Sequence, residues 1–367
     1  MKRSQPGCST LVALAVLIGV APVAHAVITQ TVNAKADAYV RSVADKKSFG
    51  FENQLELRMS AQAGASEGYV QFPLPQHAPF SEKIVVRLYA QLAEPGAMKV
   101  MVRSVAPTPW TEFGLTWKTR PEHKDTLATL NVVGLSGSWY EADVTAFVKA
   151  EAARGAESVT LALVPGEESK NRLTVQTHES AEKKPELVFS RQPLSVRLSF
   201  QPTNAVPPTG YLADNGWAFR LQTNGFSYGW SKDNTGFMRD RNNGQYKRDA
   251  KNPPVKTPDR RYDFLAYMDY EKMPAPVSWE MAVPNSTYRV RLVAGDAQRF
   301  DSIFRLTAEN VTVIDGIPDA GRRWLDATAT VVVTDGRLSI GHGAGASNNK
   351  LCFIELSEVE NLLTQAP

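Results

Sequence analysis

The chain is a succession of short strand-like runs, and almost nothing in it can form a long helix. Runs rich in β-branched and aromatic residues occupy positions 69–73, 84–91, 98–104, 159–164, 186–189 and 196–200. More follow at 288–294, 311–314, 328–334, 337–340 and 351–356. Each alternates or runs apolar over four to eight positions and is bounded by Gly, Pro, Asn or Asp, the pattern of strands closed by turns. Asp335-Gly336 between two such runs predicts a two-residue hairpin. The one helical stretch is 143–154, where Val144, Phe147 and Val148 recur at helical spacing among alanines. No internal repeat of 20–50 residues is visible. The fold class is all-β.

Residues 185–190 read as a closing strand and residues 196–200 as an opening one, with Pro193 between them. The expected organisation is a domain at 27–191, a linker at 192–195 and a domain at 196–367. Each half is long enough for a β-sandwich with its own core. The expected architecture is two jelly-roll-like sandwiches in tandem.

Residues 1–26 read as a signal peptide. Lys2 and Arg3 precede an apolar run at 11–24, and Ala24-His25-Ala26 has the small-x-small form of a cleavage site. The run is too short for a stable membrane span, and no later stretch approaches eighteen apolar residues. The expected location is secreted or periplasmic. Cleavage would remove Cys8 and leave Cys352 as the sole thiol, so stability must come from core burial rather than an internal disulfide. With Lys2 and Arg3 gone, the formal charge of +3 falls to near neutrality, which excludes bulk nucleic acid as a partner.

Charge and aromatic content are locally uneven. Between Tyr211 and Tyr262 the chain concentrates aromatics, arginines, asparagines and glycines, including Trp217, Tyr228, Trp230 and Tyr246. Sugars present apolar C–H faces and rings of hydroxyls, so a protein that holds them uses exposed rings flanked by planar donors and acceptors. The alternative is that these rings plug the core of their own domain. Residues 239–261 carry eight basic side chains (Arg239, Arg241, Lys247, Arg248, Lys251, Lys256, Arg260, Arg261) against Asp240, Asp249 and Asp259. Such a cluster reads either as a solvated loop or as a face for an anionic ligand. In the first half, Lys35, Arg41, Lys46, Lys47 and Arg58 lie in or beside the first two strand runs, where they would suit a uronic-acid carboxylate. Trp110, Trp117 and Trp139 sit in strongly patterned segments and read as core.

Residues 30–190 resemble the family-96 carbohydrate-binding modules, also called DNRLRE-type domains. The resemblance is carried in order by Ala36-Asp37-Ala38-Tyr39-Val40-Arg41, Phe49-Gly50, Leu55-Glu56-Leu57-Arg58 and Tyr69-Val70-Gln71-Phe72-Pro73-Leu74. Trp110-Thr111-Glu112, Leu115-Thr116-Trp117, the run 139–148 and Lys184-Pro185-Glu186 complete it. Pro73 stands where such modules usually have Asp. The resemblance implies a β-sandwich that binds polysaccharide, in several members an acidic one. Residues 196–357 resemble a malectin-like domain of the galactose-binding-like class. That likeness rests on Gly210-Tyr211-Leu212-Ala213-Asp214, Tyr228-Gly229-Trp230, Arg239-Asp240-Arg241-Asn242, Arg261-Tyr262-Asp263, the run 279–296 and the end 348–355. It implies sugar recognition by aromatic and acidic side chains in loops at one end of a sandwich. It also implies a structural calcium in some members, for which Asp233, Asn234 and Asp240 are the available oxygen donors.

Gly225-Phe226-Ser227-Tyr228-Gly229 matches the G-x-S-x-G pattern of hydrolase nucleophiles, but the residues after it cannot start the helix which that turn requires. The glycine-rich run 341–345 reads as a connection. His77, His123, His178 and His342 show no metal-ligand spacing, so zinc is unsupported. No cofactor is expected, and the sequence fixes no oligomeric state. The expected function is that of an exported, non-catalytic protein that binds a polysaccharide, an acidic one as judged from its basic clusters. The alternative is a small polysaccharide lyase or carbohydrate esterase with its site in the second half's loops. The expected ligand-binding residues are Tyr211, Trp217, Tyr228, Trp230, Arg239, Asp240, Arg241, Tyr246, Arg260, Arg261 and Tyr262, with Lys35, Arg41, Lys46 and Lys47.

Overall fold

Alternation of buried and exposed residues along short strands organises both halves of the chain. The computed structural model describes residues 27–76, 78–166, 171–242 and 255–359. The signal-peptide reading of residues 1–26, His77, and Tyr246 with Lys247, Arg248 and Lys251 lie outside the described residues. The first half contains β1 (Ile28–Asn33), β2 (Ala36–Arg41), β3 (Gln54–Ser60), β4 (Gly64–Pro73), β5 (Lys83–Leu92) and β6 (Ala97–Val105). It continues with β7 (His123–Val133), β8 (Ser138–Asp143), α1 (Thr145–Ala153), β9 (Ser158–Pro165), β10 (Leu173–Gln176) and β11 (Glu186–Arg191).

These strands form one curled antiparallel sheet in the order β1-β11-β5-β10-β3-β4-β9-β6-β7, with β2 also on β4 and β8 also on β5. The curl is made by β3, whose residues 54–57 pair with β10 while residues 58–60 pair with β4. The sheet thereby closes into two layers. Every second residue of β5 (Ile84, Val86, Leu88, Ala90, Leu92) points into the core between them, where Leu55, Leu57, Phe72, Leu161 and Phe189 are also buried. Each such large side chain contributes about 1.5–3 kcal/mol on burial. The helix forms within the stretch expected for it. On the outer face of β4 and β9, Tyr69, Val105 and Leu115 make a smaller cluster against which Trp110 and Trp117 pack. Trp139 packs edge-on against Tyr89, at 5.5 Å between ring centroids.

The second half contains β12 (Ser195–Phe200), β13 (Leu212–Asp214), β14 (Arg220–Leu221), β15 (Ser227–Trp230), β16 (Met238–Asp240) and β17 (Phe264–Tyr267). Then come β18 (Trp279–Ala282), β19 (Ser286–Gly295), β20 (Phe304–Ala308), β21 (Val311–Gly316), β22 (Trp324–Val333), β23 (Arg337–His342) and β24 (Lys350–Glu358). A seven-stranded sheet (β13-β12-β24-β17-β16, with β22-β19 beside β24) packs on a six-stranded one ordered β14-β15-β18-β23-β20-β21. Phe200, Trp230 and Trp279 meet edge-to-face between the sheets, with centroids 5.4 and 5.8 Å apart. The buried Asp214 carboxylate accepts both indole N–H groups, from Trp230 at 3.0 Å and Trp279 at 2.7 Å, and the Gly216 backbone N–H at 2.8 Å.

The hairpin expected at Asp335-Gly336 is absent. β22 pairs with β19 in one sheet, while β23 pairs with β18 and β20 in the other, so the turn is a corner between sheets. Gly336 has the positive φ (81°) that its turn chemistry predicts, and its N–H donates to Asn285 Oδ1 at 2.7 Å. Asn285 lies in the neighbouring corner from β18 to β19, and its Nδ2 donates to Thr334 O at 2.9 Å. The two corners brace each other.

Among the described residues, every ladder joins strands on the same side of residues 192–194. Arg191 and Glu358 connect the two sides through a buried bidentate pair at 2.5 and 2.6 Å, and the Leu194 N–H adds a third bond at 2.9 Å. No helix among the described residues is long and apolar enough to cross a membrane.

Candidate functional site

Three loops of the first half meet at one end of its sheet, at residues 45–53, 110–118 and 177–180. Ser48 Oγ donates to Glu112 O at 2.7 Å, Lys118 N–H to Asp45 O at 3.2 Å, and Thr177 Oγ1 to Glu52 O at 3.2 Å. Gly50 is required for this fit, since a Cβ there would sit 2.4 Å from the Glu112 carbonyl oxygen. Two rings, Phe51 and Phe113, stand out from this junction, 73% and 58% exposed. They stack on one another at 4.1 Å with planes 20° apart. An exposed stacked phenylalanine pair offers an apolar plate of the kind that sugar C–H faces cover.

Basic groups lie in and beside the loop that carries Phe51. Lys46 and Lys47 are exposed in the same loop, and the Lys47 ammonium and Arg41 guanidinium lie 4.7 and 6.0 Å from the Phe49 ring. Phe49 in turn stacks on Tyr39 at 4.6 Å. Lys35 is also exposed but precedes β2, whose far end carries Arg41, so the two are about 20 Å apart at strand rise. Arg58 faces Glu56 at 3.5 Å. Among the described residues, no carboxylate lies within ion-pair distance of Lys35, Arg41, Lys46 or Lys47.

Beneath the loops lies a cluster of Asp37, Glu112, His178 and Glu179, with one donor atom of each within 4.8 Å of all the others. Glu112 Oε1 accepts the Asp37 N–H at 2.7 Å, and Asp37 Oδ2 accepts the His178 N–H at 2.8 Å. Burial pushes the Asp37 carboxyl up to about 7, with the backbone N–H of His178 opposing and the charge of Glu179 adding to the rise.

In the second half the sequence-predicted residues scatter. Tyr228 and Trp230 are buried between the sheets and cannot stack on a ligand, so for this pair the core alternative holds. Tyr211 is 8% exposed and packs on the outer face of the seven-stranded sheet, its hydroxyl donating to Glu355. Trp217 is 37% exposed under the Arg220 guanidinium, 4.5 Å away. Arg261 pairs with Asp259 at 2.8 Å and Glu355 at 3.4 Å beside Tyr262, which is packed edge-on against Phe353 at 5.3 Å. Arg241 is held by Asp296 at 2.5 Å. Arg239 donates to the carbonyls of Gly236 and Met238, and Arg260 to that of Val206. The described arginines of 239–261 are thus engaged within the fold. Asp240 Oδ1 accepts the Asn242 N–H at 2.8 Å and Asp233 Oδ1 the Thr235 N–H at 3.0 Å, while Asn234 Nδ2 donates to Tyr267 O at 2.9 Å. Asp233 and Asp240 thus serve separate local turns, while Asn234 ties its segment to β17. Ser227 of the G-x-S-x-G run begins the antiparallel strand β15.

A feature not foreseen from sequence is a cleft of about 600 Å³ at one end of the second sandwich, walled by Asp269, Tyr270, Glu271, Asp301, His342 and the glycine-rich run 343–345. Tyr270 stacks on Tyr267 at 4.7 Å. Burial pushes the Asp269 carboxyl above its usual range, against the Asn349 N–H it accepts. The acidic and aromatic lining was hidden because the 269–276 turn, Asp301 ahead of β20, and the end of β23 with the run after it contribute from distant parts of the chain.

No curated protein matches this chain. Among solved structures, protein YxiM of Bacillus subtilis is 17% identical, covering 45% of this chain and 40% of that one, with a TM-score of 0.29. A calcium-binding mutant of Bacteroides uniformis beta-glucuronidase 2 is 12% identical over 76% of this chain and 28% of its own, with a TM-score of 0.30. The isomalto-dextranase of Arthrobacter globiformis T6 complexed with panose is 14% identical over 85% of this chain and 39% of its own, with a TM-score of 0.23. The chain spans less than half the length of each of these. Residues 28–191 match the family model of carbohydrate-binding module family 96, which places a carbohydrate-binding module in the first half of the chain.

Proposed function

We propose that this is an exported, non-catalytic protein that binds an acidic polysaccharide through its first half. The observation that carries the reading is the stacked, exposed pair Phe51–Phe113, with Lys46 and Lys47 in the same loop as Phe51 and Arg41 over Phe49, none of the three within ion-pair distance of a carboxylate among the described residues. Rings cover sugar C–H faces, and free ammonium and guanidinium groups meet uronate carboxylates. The arginines of 239–261 support an anionic site less well, because the fold already pairs Arg241 and Arg261 with carboxylates. Export rests on the composition of residues 1–26, with their positive start and small-x-small end. The second half is proposed as a separate, malectin-like domain, and the linker at 192–195 as the boundary. The supporting features are the two-sheet sandwich and the terminal cleft with Tyr270, Asp269 and Glu271.

Affinity electrophoresis against a panel of uronic-acid polymers and neutral glucans tests the reading. Retardation by the acidic polymers that fades at about 0.5 M salt is expected, since screening shortens to a few ångströms there. Equal retardation by neutral glucans would overturn the acidic preference. A lyase or esterase reading draws on one observation, His342 with Asp269 and Asp301 in the cleft. Unsaturated ends or released acetate from the same polymers would decide for it.

A further inference from the structure

The loop junction holds a feature that the sugar-facing surface does not use. We propose that Asp37, Glu112, His178 and Glu179 bind one divalent transition-metal ion of the zinc type. His178 Nδ1 lies 3.3 Å from Asp37 Oδ2, 3.3 Å from Glu112 Oε1 and 3.3 Å from Glu179 Oε2. Four donors arranged tetrahedrally at about 2.1 Å from a cation stand about 3.4 Å apart, so the nitrogen is already at ligand spacing from each oxygen. The oxygens lie within 4.8 Å of one another, so reaching that spacing takes a closure of at most about 1.4 Å.

The imidazole nitrogen is an independent pointer. Nδ1 is buried and has no hydrogen-bond partner, although it faces three carboxylates. A neutral ring protonated on Nε2 would direct its Nδ1 lone pair into the centre of the cluster. Among the described residues no lysine or arginine reaches these carboxylates within ion-pair distance, so a protonated His178 would be the sole positive partner. A dication brings twice that charge. The ligands are also oriented by backbone donors, Glu112 by the Asp37 N–H and Asp37 by the His178 backbone N–H, as hydrogen bonds to metal-ligating groups hold them in place. The His178 and Glu179 side chains are 25% and 26% exposed, which gives an ion a way in. Calcium and magnesium take six or more oxygens, whereas one imidazole with carboxylates suits zinc. The ion would fasten β2 to the loop that carries Phe113 and to the 177–180 loop.

The test uses the full chain, stripped by chelator and then equilibrated with Zn²⁺, Mn²⁺ or Ca²⁺ separately, with no carbohydrate present. Metal content by mass spectrometry and the melting temperature are read. The expected result is one zinc per chain, a raised melting temperature, and no comparable effect of Ca²⁺. Glu179→Gln and His178→Gln should each weaken zinc binding by about tenfold or more while keeping the circular dichroism spectrum. Zinc that is not retained, or that is retained equally by both variants, would overturn the assignment, as would an equal response to Ca²⁺. Because no sugar enters the assay, failure here leaves the carbohydrate reading to its own test.

Discussion

Glu358→Ala tests how the two halves hold together. Its carboxylate is 1% exposed and accepts three charge-assisted bonds, from Arg191 Nη1 at 2.5 Å, Arg191 Nη2 at 2.6 Å and Leu194 N at 2.9 Å. Truncation leaves the Arg191 guanidinium, itself only 9% exposed, buried without a counter-charge. Removing one partner of such a pair costs about 3–5 kcal/mol, while replacing both with apolar residues is often neutral. Glu358→Ala should therefore destabilise strongly, and Arg191→Met with Glu358→Leu should recover most of the loss. The assay is urea unfolding of the single and double variants, with limited proteolysis at 192–195 as a second readout. If the halves are separate domains, the single variant is cut there first and releases two folded fragments. A loss below about 1 kcal/mol, the range of exposed pairs, would refute the reasoning. The pair also sets a pH dependence. Burial pushes the Glu358 carboxyl up, but Arg191 and the Leu194 N–H outweigh it, and its pKa lies below the usual 4.5. A lowered folded value means stability that is complete above the unfolded pKa and is lost as pH falls through the folded one. Glu358→Gln should remove that acid-side loss.

Three further outcomes follow from the core. Asp214→Ala strands the indole N–H groups of Trp230 and Trp279, each worth about 1–3 kcal/mol when left unsatisfied, and should shift the intrinsic fluorescence of the folded state. Arg241→Ala leaves Asp296 with Lys350 at 3.7 Å as its nearest cation, so it should lower stability by about 3 kcal/mol without weakening polysaccharide binding; reduced binding at unchanged stability would return that arginine to the ligand site. Burial pushes the Cys352 thiol above its usual range, so it should resist thiol reagents until the chain is denatured, and rapid modification of folded protein would contradict its placement.

Most of the strands were legible because alternation and turn residues are local signals. What those signals lack is the identity of the partner strand. Asp335-Gly336 does make a turn, but the ten-residue β22 is claimed by β19, and β23 leaves for the other sheet. The rings Tyr228 and Trp230 were open to a better reading, since residues two apart on a strand share a face, and both turn inward here. Composition gave them away as aromatic but not as buried. Phe51 and Phe113 drew no attention because their stacking joins two loops far apart in sequence. The cluster of Asp37, Glu112, His178 and Glu179 escaped for the same reason, as ligand spacing can be read only within a local segment.

The most direct measurement is the affinity of the full chain for a uronic-acid polymer, compared with that of Phe51→Ala/Phe113→Ala and of Lys46→Ala/Lys47→Ala. All four side chains are exposed, so their removal should leave stability nearly unchanged. Each double variant should bind at least about tenfold more weakly, or about 1.4 kcal/mol, with the lysine variant also losing salt dependence. Undiminished binding by both variants would contradict the placement of the polysaccharide site on the first half.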